Sequence, residues 1–192
     1  GSVTGTIVNN GGRENIYSDG SATSTTLNSG GVQAVSGGGV ATSTLVNSGG
    51  SQYVYSGGNA LNASVNDGGR QFISSGGSTT NTTINSGGGQ YLYAGNATKT
   101  TVNNGGSQYV SSGGSATDTT VNSGGRQNVY IDGNVTETTI TSGGMLQVEA
   151  GGSASKVTQN SGGAVVTNTS AAVSGTNDNG SFSIAGGSAA NM

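Results

Sequence analysis

The stretch Ser107 to Gly125, SQYVSSGGSATDTTVNSGG, is the unit from which the rest of the chain is copied. Its closing Gly-Gly pair recurs with second glycines at Gly12, Gly31, Gly50, Gly69, Gly88, Gly106, Gly125, Gly144 and Gly163. The spacing is 19 residues, with one step of 18 between Gly88 and Gly106. A period of about 20 residues is too short for a helical hairpin, and the residues between the glycine turns are rich in β-branched types. The chain therefore reads as all-β, a three-faced parallel β-solenoid of about ten coils with one 19-residue repeat per coil.

Within the unit the side chains sort by depth. The fourth place holds Ile16, Val35, Val54, Ile73, Leu92, Val110, Val129 and Val148, and the fifteenth holds Leu27, Val46, Val65, Ile84, Val102, Val121 and Ile140. These columns are the expected core. The tenth place is small, and the thirteenth is Thr or Ala until Val157 appears where the fifteenth becomes Gln159. Places thirteen and fifteen share a face of a strand, so Val157 is expected to replace the apolar volume lost at Gln159. The twelfth place is Ser24, Ser43, Asn62, Asn81, Lys99, Asp118, Glu137 or Lys156 and belongs outside. Places ten and thirteen differ in parity yet both look inward, so a corner lies between them, and the two Gly-Gly pairs supply two more. Three short strands per coil follow. The sixteenth place, mostly Asn from Asn28 to Asn160, reads as an amide ladder along the stack.

The strict period argues against disorder, despite 39 glycines and only 30% hydrophobic residues. Five basic and eight acidic residues leave a net charge of −3 with no basic stripe, so nucleic acid and anionic lipid are not expected partners. There is no Cys and no His, which removes thiol and imidazole chemistry and the usual zinc sites. No apolar run is long enough to span a bilayer, so this segment is not expected to insert into a membrane. No cofactor, metal site or catalytic residue is expected.

As a whole, 1–192 reads as one β-helix fragment of a longer protein. Residues 1–12 form a partial coil, 13–163 eight repeats, and 164–192 an irregular coil with the start of the next. Gly1-Ser2 resembles a cloning remnant, and the sequence stops at Met192 in mid-repeat. The polar run Ser174 to Gly180 reads as a protruding turn. Phe182 and Ile184 are then expected in the second and fourth places of a new coil, followed by Gly186-Gly187 and Ala189.

The consensus GG-x-Q-Y-V-x-S-G-G-x-A-T-x-T-T-V-N-S-G-G, nearly intact at Gly49–Gly69 and Gly105–Gly125, together with the closing segment Gly162–Met192, resembles passenger domains of self-associating autotransporter adhesins of the type involved in diffuse adherence. The resemblance covers essentially the whole chain. It implies a right-handed parallel β-helix exported to a Gram-negative outer membrane or secreted. It also implies self-association between neighbouring cells, biofilm formation, attachment to a host-cell receptor or glycan, and heptose placed on Ser or Thr by a dedicated heptosyltransferase.

Corner serines are the expected acceptors. They precede the closing Gly-Gly at Ser29, Ser48, Ser86, Ser123, Ser142 and Ser161, and the middle Gly-Gly at Ser56, Ser75 and Ser112. The outward twelfth and fourteenth places, Asn62, Asn81, Thr83, Thr101, Asp118, Thr120, Glu137 and Thr139, form the expected self-association face. An aromatic column at the third place (Tyr53, Phe72, Tyr91, Tyr109), with Tyr17, Tyr55, Tyr93 and Tyr130 at the fifth, faces out; it serves either to stabilise the sheet by stacking or as a stripe for a partner chain or glycan.

Competing readings are weaker. Asp118 and Glu137 suggest a carboxylate pair, but a glycan-cleaving β-helix would cluster several acids on one face, and the eight here are scattered. Thr-x-Thr pairs such as Thr117/Thr119 suggest an ice-binding ladder, yet both columns look turned inward or into a corner. Sequons at Asn62, Asn81, Asn96, Asn134 and Asn168 follow from composition alone. The reading is a non-enzymatic adhesin, with a glycan-acting β-helix enzyme and then an ice-binding solenoid as alternatives.

Overall fold

The computed structural model describes residues 1–168 and 170–184. The chain climbs in coils, each contributing one strand to each of three faces. Among the described residues the first face holds nine strands, from Arg13–Ile16 to Ala164–Thr167, each paired in parallel with the strand one coil away. The register repeats the sequence period: Val110 stands beside Leu92 on one side and Val129 on the other. The second face runs from Ser2–Thr4 through Asn134–Thr136, and the third from Ile7–Val8 through Thr139–Ile140. Both continue into one long strand, Ser153–Gln159.

The corners are built by backbone conformations that the sequence accommodates. The first glycine of each closing pair is left-handed, as at Gly124 (φ +73°). The second, such as Gly125, would place a Cβ 2.5 Å from the Val102 carbonyl oxygen of the coil before, so no side chain fits. Between the second and third faces all eight residues of the twelfth place are left-handed, with φ between +53° and +60°. A single left-handed residue turns the chain there without glycine, and this keeps a side chain on the corner. The fifth coil absorbs its missing residue at the second turn, where Ala94 adopts φ +57°.

The fourth, tenth and fifteenth columns are buried as expected. Beside them runs a second, polar column that the periodicity of apolar residues does not reveal. Gln33, Gln52, Gln71, Gln90, Gln108 and Gln127, all in the second place, are fully buried. Each donates its Nε2 to the side-chain oxygen one coil back at 2.6–2.7 Å. The thirteenth-place hydroxyls of Thr44, Thr82, Thr100, Thr119 and Thr138 donate to the Oε1 of the glutamine in their own coil. Both lone pairs of the Gln33, Gln71, Gln90 and Gln108 carbonyls are thereby used, while that of Gln127, last in the column, takes Thr138 alone.

The ends of this ladder follow from its direction. Every amide donates toward the N-terminal end, so the first member has only to accept. It is Glu14, whose carboxylate takes bonds from Gln33 and Thr25. At the far end the second place becomes Leu146 and no acceptor remains for a thirteenth-place hydroxyl; that place is Val157, 1% exposed. The exchange at Val157 is thus matched to Leu146. Gln159 remains inside and donates to the Gly163 carbonyl.

Outside the core, the asparagine ladder runs from Asn9 to Asn122 with bonds of 2.9–3.2 Å. It breaks at Thr141, whose hydroxyl turns to the Val121 carbonyl. The chain after Gly163 departs from expectation. Strand Ala172–Asn177 turns through Asp178-Asn179 and returns antiparallel as Gly180–Ile184. Phe182 therefore lies opposite Gly175 and packs against the core instead of entering a new parallel coil. Gly186-Gly187 and Ala189 lie outside the described residues.

Gln71→Leu should lower stability by about 2–4 kcal/mol, because Gln90 and Thr82 lose their buried acceptor and Gln52 loses a donor. Urea unfolding measures this, and a loss below about 0.5 kcal/mol would contradict it.

Candidate interaction and modification surfaces

Repetition presents the same side chain at the same height on successive coils, about 4.8 Å apart. The proposed acceptor serines, Ser29, Ser48, Ser86, Ser123, Ser142 and Ser161 at the closing corner and Ser56, Ser75 and Ser112 at the middle Gly-Gly corner, are all exposed. Their neighbours explain the access. A Cβ at Gly143 would come within 2.6 Å of Ser123 Oγ, and one at Gly76 within 2.8 Å of Ser56 Oγ. At Ser29, Ser48, Ser56, Ser86, Ser123 and Ser142 the glycine of the next coil leaves the space around the hydroxyl open.

On the proposed self-association face, Asn62, Asn81, Asp118 and Glu137 are exposed on the left-handed corner. Thr83, Thr101, Thr120 and Thr139 form a half-buried outward ladder on the third face, paired directly in register. Asn81 donates to Asn62 Oδ1 at 2.8 Å, and Lys156 pairs with Glu137 at 2.9 Å on the exposed edge. Asp118 and Glu137 are consecutive corner residues on this exposed edge. The Thr-x-Thr pairs divide between environments: the thirteenth-place Thr is buried, while Thr117 and its equivalents lie outward and mostly half-buried on the second face. The corner at the twelfth place separates them, so they form no common flat array.

The aromatic column is a continuous stack. Tyr53, Phe72, Tyr91 and Tyr109 have centroids 4.8–5.0 Å apart and ring planes within 19° of parallel. Facing rings cover one another, so partners meet their edges and hydroxyls. Tyr91 leans along its strand over Gly89, where a Cβ would lie 2.9 Å from the phenol oxygen. Desolvation and the neighbouring Tyr109 raise its phenol above the usual pKa, while Arg70 opposes them. The fifth-place tyrosines protrude further, Tyr17 being 62% exposed and Tyr93 48%.

Among the described residues no group of three or more acidic side chains is placed to hold a metal ion. On the first face a hollow of about 150 Å³ is bordered by Arg70, Gly89, Tyr91 and Tyr109.

A rod of parallel coils with outward hydroxyl, amide and aromatic ladders defines a β-solenoid stalk. The family described as the adhesin of bacterial autotransporter systems, probable stalk, matches residues 1–50, 37–88 and 89–144, and the chain belongs to it. The solved structure of a TibC-catalysed hyper-glycosylated fragment of TibA is 65% identical, covering 90% of this chain and 70% of that one with a TM-score of 0.76. The autotransporter adhesin/invasin TibA of Escherichia coli O78:H11 shares 93% identity over 28 residues, which are 15% of this chain and 3% of that protein.

Proposed function

We infer that the chain is a stretch of a non-enzymatic adhesin passenger at the bacterial surface, which holds cells to one another and to host surfaces and so promotes biofilm. The observation that carries this reading is the in-register repetition of exposed polar groups along one rod. A single exposed hydrogen bond contributes about 0.5–1.5 kcal/mol, too little to hold a cell. Many such contacts made together multiply, because each one formed raises the effective concentration of the next. The corner residues Asn62, Asn81, Asp118 and Glu137 and the third-face threonines Thr83, Thr101, Thr120 and Thr139 are the proposed contact edge.

The solved relative is hyper-glycosylated by TibC. By analogy a dedicated heptosyltransferase is the proposed modifying partner here, with heptose on the exposed corner serines. Acceptors about 4.8 Å apart are too close for a sugar on every coil, so occupancy is partial. Mass spectrometry of protein made with its transferase should find sugars on Ser29, Ser56, Ser123 and their equivalents. Sugars confined to buried Thr25, Thr119 and Thr138 would contradict selection by exposure.

Cells displaying the chain should clump. Replacing Asn62 and Asn81 with Gly, compatible with their left-handed backbone, and Thr101 and Thr120 with Ala should reduce clumping at least tenfold with the β-sheet signal in circular dichroism unchanged. Clumping at the original level would remove the polar edge from the account.

A further inference from the structure

The fifth place of the first face alternates. Tyr17, Tyr55, Tyr93 and Tyr130 occupy coils one, three, five and seven, and Ser36, Ser74 and Ser111 occupy coils two, four and six. A protruding ring therefore stands at every second coil, roughly 9.6 Å apart, with a serine gap between. The four tyrosines are 39–62% exposed. The third-place stack beside them spans coils three to six, so its midpoint lies between coils four and five.

We propose that the first face is a self-complementary zipper for a second copy of this chain, related by a two-fold axis that runs along the strand direction between coils four and five. This operation sets coil n of one copy against coil nine minus n of the other, with the long axes antiparallel. Tyr93 then faces Ser74, Tyr55 faces Ser111, and Tyr130 faces Ser36. These three rings enter serine gaps, Tyr17 meets Glu149 in the fifth place of coil eight, and the third-place stack lies against its own image.

Avoidance of like charges selects the same register. Arg13, Arg70 and Arg126 occupy the first place in coils one, four and seven of this face. Under the two-fold they meet Met145, Gly89 and Val32, so no two guanidinium groups confront each other. Gly89, without a side chain, borders the hollow beside Arg70. A shift of one coil in one direction sets Arg70 against Arg70 and Tyr55 against Tyr93. A shift in the other sets Tyr93 against itself and Tyr55 against Tyr130. The antiparallel arrangement with full overlap is the one that satisfies rings and charges together.

The contact is modest. Five residues of strand and eight coils give roughly 600 Å² per copy, roughly 1,200 Å² in all, the low end for a specific interface. The zipper is independent of the polar edge, because the corner asparagines and third-face threonines lie on other sides of the coil.

The test exchanges knob and hole. Ser74 and Tyr93 both point outward, so Ser74→Tyr and Tyr93→Ser should leave thermal melting unchanged. Sedimentation of the unmodified chain up to about 1 mM should show a monomer–dimer equilibrium. Ser74→Tyr sets ring against ring and Tyr93→Ser leaves gap against gap, so each should weaken the dimer about tenfold. The double variant restores a ring opposite a gap and should recover the original affinity within about threefold. A monomer at every concentration, single variants that dimerise like the parent, or a double variant that is not rescued would each overturn the zipper. Loss of the dimer in the polar-edge variant would do so too, and would assign the contact to that edge.

Discussion

The buried glutamine bond between consecutive coils is the constraint on which the rest depends. A glutamine amide placed in an apolar core without partners costs several kcal/mol, and here its partners are the same side chains one coil above and below. That satisfaction exists only when the coils sit in register at one repeat per turn. A slip by one residue would turn the glutamines outward and bring third-place aromatics into a core too narrow for them. The apolar columns supply the drive to collapse, and the amide ladder makes one register the acceptable one.

The constraint explains where the repeat tolerates change. The fifth coil loses a residue at a corner, and the Gln71–Gln90 and Gln90–Gln108 bonds on either side remain at 2.7 Å. The second and thirteenth places change together at Leu146 and Val157, where a hydroxyl would have no acceptor. The twelfth place varies freely among Ser, Asn, Lys, Asp and Glu, because it is asked only for a left-handed backbone and a solvated side chain. What is variable therefore lies outside, and what is fixed lies within.

Much of the architecture was legible because a solenoid writes its period into the sequence. The fourth and fifteenth columns, the corner between places ten and thirteen, and the asparagine ladder could be read from residue type and parity alone. The glutamine column could not be read from hydropathy, which places Gln outside; its signal was the uniformity of the second place, six glutamines in succession where a free surface would vary. The thirteenth-place threonines were readable as inward through Ala63 and Val157, but those of the eleventh place were not readable as outward, since the left-handed turn between them resets the alternation. The hairpin from Ala172 to Ile184 escaped because Phe182 and Ile184 carry the parity of a new coil, and parity does not distinguish a strand that climbs from one that folds back. For the surfaces, exposure of the corner serines was legible from the flanking glycines, and the alternation of tyrosine and serine became meaningful once the coils were aligned in space.

The most direct test of the account is hydrogen exchange of the side-chain amides. Nε2 protons of Gln52, Gln71, Gln90 and Gln108, each held between coils in the core, should exchange orders of magnitude more slowly than the solvent-exposed Nδ2 protons of Asn62, with protection approaching that of the neighbouring core backbone amides. Glutamine amides that exchange as fast as Asn62 would contradict the account, since the ladder would then be open to water and could not hold the coils in register.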